Sequence, residues 1–105
     1  MFDSQLLKGK TIIVTGGGTG LGKSMATRFA ELGANLVITS RRQNVIDETA
    51  KILREHGGKV LAISCDVREP DQVESMVNKT VEEFGTIDIL LNNAAGNFIS
   101  PTENL

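Results

Sequence analysis

Short unbroken apolar runs alternate along this chain with longer stretches in which apolar residues recur every three or four positions. Runs of the first kind suit strands buried on both faces, and stretches of the second kind suit helices that lay one stripe against a sheet. Thr11 to Thr15 reads as a strand; Leu21, Met25, Phe29 and Leu32 then mark one face of a helix that Gly33 ends. Leu36, Val37 and Ile38 predict a second strand. The helix after it turns Val45, Ile46, Thr49, Ala50 and Leu53 inward and stops at His56, Gly57 and Gly58. A cation such as His56 is favoured where the helix dipole ends, which accounts for it without any catalytic role. Val60 to Ser64 is the third strand. Pro70 opens a third helix, at the position where its missing N–H costs nothing, with Val73, Met76, Val77, Thr80, Val81 and Phe84 as its buried stripe. Ile87 to Leu91 reads as a fourth strand, and Asn92 to Leu105, with Gly96 and Pro101, as irregular.

Four strands joined by right-handed helical crossovers predict an α/β fold: the first half of a doubly wound parallel sheet, in the order 3-2-1-4. Ligands of such sheets lie outside the carboxyl ends of the strands where the order reverses, here strands one and four. At 105 residues the chain fits one domain, read as residues 1–105 of a single unit. With 40% hydrophobic and 23% charged residues and no long apolar run, no membrane role is expected. Eleven basic against thirteen acidic side chains leave a net charge of -2, and no Lys/Arg cluster interleaves with aromatics, so no nucleic-acid partner is expected. No metal site is assigned. The one cysteine, Cys65, has no internal disulfide partner, and Met1 to Ser4 lacks signal-peptide character; the expected setting is cytoplasmic.

The loops at the carboxyl edge carry the candidate chemistry. Strand one runs into Thr15-Gly16-Gly17-Gly18-Thr19-Gly20-Leu21-Gly22, directly before a helix. Glycines let a backbone turn sharply, approach a pyrophosphate and point N–H groups at it from the positive helix end. The spacing Gly16, Gly20, Gly22 differs from the common dinucleotide pattern of first, third and sixth positions. A phosphate cradle and a tight structural turn are both open readings, and the strand-to-helix position favours the first. Thr19 and Ser24 offer hydroxyls, although for Ser24 a solvated residue of the first helical turn is the favoured reading.

Strand two ends in Thr39-Ser40-Arg41-Arg42. In dinucleotide-binding folds an acid at this place bonds the ribose hydroxyls of NAD, whereas arginine accommodates the 2′-phosphate of NADP. No carboxylate follows until Asp47, inside the next helix. The expected cofactor is therefore NADP(H), with Arg41 as the principal phosphate partner and Arg42 and Ser40 in support. The alternative is a pair of solvated loop charges.

Three motifs in order resemble the short-chain dehydrogenase/reductase family: the glycine pattern Thr15 to Gly22, Cys65-Asp66-Val67 after the third strand, and Asn92-Asn93-Ala94-Ala95-Gly96 after the fourth. The resemblance implies a Rossmann-type fold, a nicotinamide cofactor and a homotetramer of full-length subunits. It also implies roles. Gly16, Gly17, Gly18, Thr19, Gly20, Leu21 and Gly22 would wrap the pyrophosphate; Asp66 would accept from the adenine amine and Val67 would pack on the ring. Asn93, Ala94 and Gly96 would lie beside the ribose and nicotinamide, the Asn93 side chain tying neighbouring strands together. Each has a plain structural alternative: a turn acid for Asp66, a strand exit for Gly96, a small buried residue for Cys65.

Within the family, NNAAGNFISPTENL from Asn92 to Leu105 and Arg68 after Cys65-Asp66-Val67 most resemble the 2,4-dienoyl-CoA reductases. This implies an acyl-CoA substrate, with Arg68 gripping a coenzyme A phosphate and Phe98 lining an acyl slot; a loop charge and ordinary packing are the alternatives. Enoyl-CoA and 3-oxoacyl reductases remain open, as do a non-catalytic nucleotide-binding module and an oligomerisation fragment. The family's catalytic tyrosine and lysine, four residues apart, have no counterpart here, and the sequence contains no tyrosine. No catalytic residue is therefore assigned, and the chain alone is expected to be inactive.

Overall fold

The strand β1 (Thr11–Thr15) is buried at all five positions, as the central strand of a sheet covered on both sides must be. The computed structural model describes residues 6–18 and 20–93. In it β1 is followed by α1 (Gly20–Glu31), β2 (Asn35–Ser40), α2 (Gln43–Arg54), β3 (Val60–Ser64), α3 (Pro70–Phe84) and β4 (Ile89–Asn92). The sheet is parallel, in the expected order β3-β2-β1-β4. Ile12 and Val14 of β1 and Leu36 and Ile38 of β2 face α1 and α2, meeting Ala26, Ala30, Ile46, Ala50 and Leu53. On the other face, Ile13 and Val37 meet Cys65 and Met76, with Val73, Val77 and Phe84 of α3 alongside. These three layers make a Rossmann-type half sheet. Among the described residues no helix is long and apolar enough to cross a membrane.

Helix α1 differs from the periodicity reading. Leu21 is 66% exposed, and the fully packed positions are Gly22, Ala26 and Ala30. The apolar period finds bulky residues, whereas a helix seated close to a sheet places its smallest residues at the contact. Phe29 packs only partly against the core. Val81 of α3 is likewise exposed, since one step along the helix from buried Thr80 turns it about 100° off the contact line.

The fourth strand starts two residues later than hydropathy suggests and includes Asn92. Asp88 accounts for the shift. Its N–H donates to the Thr11 carbonyl at 2.9 Å, and its carboxylate accepts the Thr11 N–H at 2.8 Å. A side-chain oxygen thereby closes the ladder, leaving Ile87 to pack beneath α3.

The packed face of α1 yields a direct test. Ala26→Leu should destabilise the fold by about 1–3 kcal/mol through overpacking. Leu21→Ala should change stability by less than about 0.5 kcal/mol. Urea unfolding of both variants measures the contrast, and an equal or reversed cost would mean that α1 packs by its bulky face.

Candidate functional site

Where β1 ends, Gly16 takes a φ of +68°, a left-handed conformation that glycine adopts without strain. Its N–H donates to the Thr39 carbonyl at 2.7 Å, so the turn leaves the sheet while still bonded to β2. Further on, α1 begins at Gly20, and its first turn carries no acidic residue. Gly22 lies directly under the Gly16 carbonyl: a Cβ there would overlap that oxygen and stand 2.8 Å from Asn93 Nδ2. The Gly18 carbonyl accepts the buried Thr49 hydroxyl at 2.9 Å, fixing the turn from α2. Glycine turn, helix start and sheet edge thus form one backbone-lined surface of the kind that receives phosphates.

The neighbouring end of β4 is joined to this turn through Thr15. The Thr15 hydroxyl donates to Asn92 Oδ1 at 2.9 Å and accepts the Asn93 N–H at 2.8 Å. The Thr15 hydroxyl thus ties the Asn92 side chain and the Asn93 backbone to the end of β1. The Asn93 side chain, expected to tie neighbouring strands together, lies beside Gly22 at the start of α1.

Arg41 and Arg42 follow β2, and both are exposed. The backbone there is held by the Arg42 N–H donating to Ser40 Oγ at 3.1 Å and by Ser64 Oγ donating to the Arg41 carbonyl at 3.4 Å. The ion pairs among the described residues are Arg28–Glu31 and Arg68–Asp66, so neither Arg41 nor Arg42 has a carboxylate partner. Asp47, the first acid after β2, accepts the Gln43 Nε2 at 2.7 Å. Gln43 also takes the Ser64 N–H at 3.1 Å, tethering α2 to β3. Sequence reading gave Gln43 no role; an exposed glutamine at a helix start carries no signal until β3 lies next to it.

Asp66 is half-buried just after β3. Its backbone N–H donates to Gln72 Oε1 at 2.8 Å. Its carboxylate accepts the Arg68 N–H and Nε at Oδ1, both at 3.0 Å, and Arg68 Nη2 at Oδ2, at 2.9 Å. The Arg68 side-chain bonds, then its backbone N–H, lower the Asp66 carboxyl to about 2, with Arg41 adding to the effect from the end of β2. Val67 is half-buried beside it, and Cys65 is buried, its thiol pushed up by burial. Ser24 is exposed on α1. The structure thus brings Gly16, Gly17, Gly18, Gly20, Leu21, Gly22 and Asn93 to one side of the carboxyl edge, and Arg41, Arg42, Asp66, Val67 and Arg68 to the ends of the neighbouring strands. Thr19, Ala94, Gly96 and Phe98 lie outside the described residues.

The fold is that of a Rossmann-type α/β protein, and comparison with known proteins narrows the class. Residues 10–105 match the family model described as short chain dehydrogenase; the chain belongs to the short-chain dehydrogenase/reductase family. It is 43% identical over 96 residues to a probable 2,4-dienoyl-CoA reductase of Bacillus subtilis, covering 91% of this chain and 38% of that protein. It is 48% identical over 101 residues to probable 2,4-dienoyl-CoA reductase 3 of Caenorhabditis elegans, covering 94% and 33%. Among solved structures, a short chain dehydrogenase from Bacillus anthracis superposes with a TM-score of 0.82 at 47% identity, over 95% of this chain and 40% of that one. The chain therefore spans between a third and two fifths of the length of these relatives.

The Asp66–Arg68 pair predicts a titration. A carboxyl held near 2 rather than 3.8 is stabilised by its partner at every pH above about 4, and that contribution disappears as pH falls through 2. Carboxyl carbon NMR should place Asp66 near 2 in the wild type and closer to 3.8 in Arg68→Ala. Matching titrations in the two proteins would mean that the ion pair does not form in solution.

Proposed function

We propose that this chain forms the NADP(H)-binding portion of a short-chain reductase that acts on an unsaturated fatty acyl-CoA, with a 2,4-dienoyl-CoA as substrate. The observation that carries the cofactor assignment is the end of β2, where two exposed arginines, neither ion-paired among the described residues, stand in place of an acid. NAD would find no ribose acceptor there, whereas a 2′-phosphate meets guanidinium groups suited to charge-assisted bonds. The similarity to 2,4-dienoyl-CoA reductases supports the substrate class.

In this reading the amides of the glycine turn and the start of α1 take the pyrophosphate, Arg41 takes the 2′-phosphate with Arg42 in support, and Asp66 accepts from the adenine amine while Val67 packs on the ring. Asn93, Ala94 and Gly96 set backbone beside the ribose and nicotinamide, and Phe98 lines the acyl slot. NADPH held by these residues would supply a hydride for the conjugated system, with a proton completing its reduction to an enoyl-CoA. The chain's own residues position the cofactor. None of them is a tyrosine, so the usual proton donor of the family does not come from this sequence, and the chain by itself turns nothing over. The whole protein works as a homotetramer in a reducing compartment, the cytoplasm.

The test follows cofactor absorbance in the whole protein with a 2,4-dienoyl-CoA. NADPH should be preferred to NADH. Arg41→Ala should weaken NADPH by roughly 1.5 to 3 kcal/mol, about ten- to more than hundredfold, and leave NADH nearly unchanged. A wild type that prefers NADH, or equal losses for both cofactors, contradicts the cofactor assignment; failure to oxidise NADPH with the dienoyl thioester contradicts the substrate class.

A further inference from the structure

We infer that Arg68 is a positioning residue for the adenine end of the dinucleotide, fixing the plane of the Asp66 carboxylate so that one acceptor site of Oδ2 stays open to the base. The inference rests on the reading of Asp66 as the adenine partner given above.

An aspartate side chain rotates broadly about its last torsion, so a carboxylate held only by its backbone presents its oxygens in many directions. Here three donors from a single residue remove that freedom. The Arg68 N–H and Nε both reach Oδ1, and Nη2 reaches Oδ2. A carboxylate offers about four acceptor sites. Two are used on Oδ1 and one on Oδ2, which leaves Oδ2 able to receive one more donor, such as an exocyclic amine. The backbone beneath is fixed as well: the Asp66 N–H donates to Gln72 Oε1 at 2.8 Å, and its carbonyl accepts the Glu69 N–H at 2.9 Å.

Neither stability nor charge explains the pair. The Arg68 side chain is 63% exposed, and exposed ion pairs add little to folding. At neutral pH the Asp66 carboxylate is ionised with or without Arg68, so the arginine supplies direction and not charge. The same fork also bears on the expectation that Arg68 grips a coenzyme A phosphate. Nε and one Nη2 hydrogen are on Asp66, so such a grip would have to use the opposite edge of the guanidinium, Nη1 with the second Nη2 hydrogen.

The experiment compares NADPH with its analogue carrying hypoxanthine, where a carbonyl oxygen replaces the 6-amino group. Wild-type protein should bind NADPH roughly ten- to hundredfold more tightly than the analogue, the range for a hydrogen bond to a charged group. Asp66→Ala should abolish the preference. Arg68→Ala should shrink it to within about threefold while the Michaelis constant for the acyl-CoA stays at the wild-type value, since one charged hydrogen bond is what the arginine directs. Arg68→Lys, with a charge but no fork, should fall between. A wild type with no preference removes the adenine role of Asp66 itself. A preference lost in Asp66→Ala but intact in Arg68→Ala or Arg68→Lys overturns the inference alone, and intact preference with a raised thioester constant moves Arg68 to the substrate.

Discussion

The first turn of α1 lies against the end of β1 because residue 22 has no side chain. A Cβ at Gly22 would run into the Gly16 carbonyl, and the helix would have to lift away from the sheet. That contact sets the height of the whole helix: Ala26 and Ala30, one and two turns on, continue the same close seat against the sheet face of Ile12, Val14, Leu36 and Ile38. It also sets the glycine turn between strand and helix, whose amides could take the proposed pyrophosphate only if the helix start is this near. Packing and binding surface are one constraint met by residues without bulk.

The remainder of the site follows from the parallel register. Pairing Ser40 with Ser64 brings the ends of β2 and β3 side by side, so the charge of Arg41 is felt at Asp66. Pairing Thr15 with Asn92 puts the end of β4 next to the glycine turn, where the Thr15 hydroxyl binds both segments. The cationic end proposed for a phosphate and the anionic end proposed for a base amine thus sit on adjacent strands, separated by backbone geometry that the sheet itself fixes. Gln43 of α2 and Gln72 of α3 both hold the β3 end, accepting the Ser64 and Asp66 N–H groups.

Much of this was legible from residue order. Apolar runs located all four strands to within two residues, and the handedness of crossovers then fixed the sheet order. The glycine turn, the paired arginines and Asp66 were recognisable because each falls just after a strand, at the ligand-binding edge. The misreadings share a cause. Hydropathy counts bulk, so it chose Leu21 and Val81 as buried and passed over Gly22 and Ala26. It is also blind to polar closure of a strand, so the role of Asp88 at Thr11 was invisible, as was the placing of the Asn93 side chain beside Gly22. The Asp66–Arg68 fork was hidden for a related reason: two residues each read as facing a ligand turn out to face one another first.

The central claim is that one backbone surface at the carboxyl edge, flanked by Arg41 and Asp66, receives NADP(H). A crystal structure of the protein with NADP bound tests it most directly. The account predicts the pyrophosphate within hydrogen-bonding distance of the glycine-turn amides, the 2′-phosphate on Arg41 and the adenine amine on Asp66. A dinucleotide seated elsewhere, or one bound in this groove with its 2′-phosphate turned away from both Arg41 and Arg42, would contradict it.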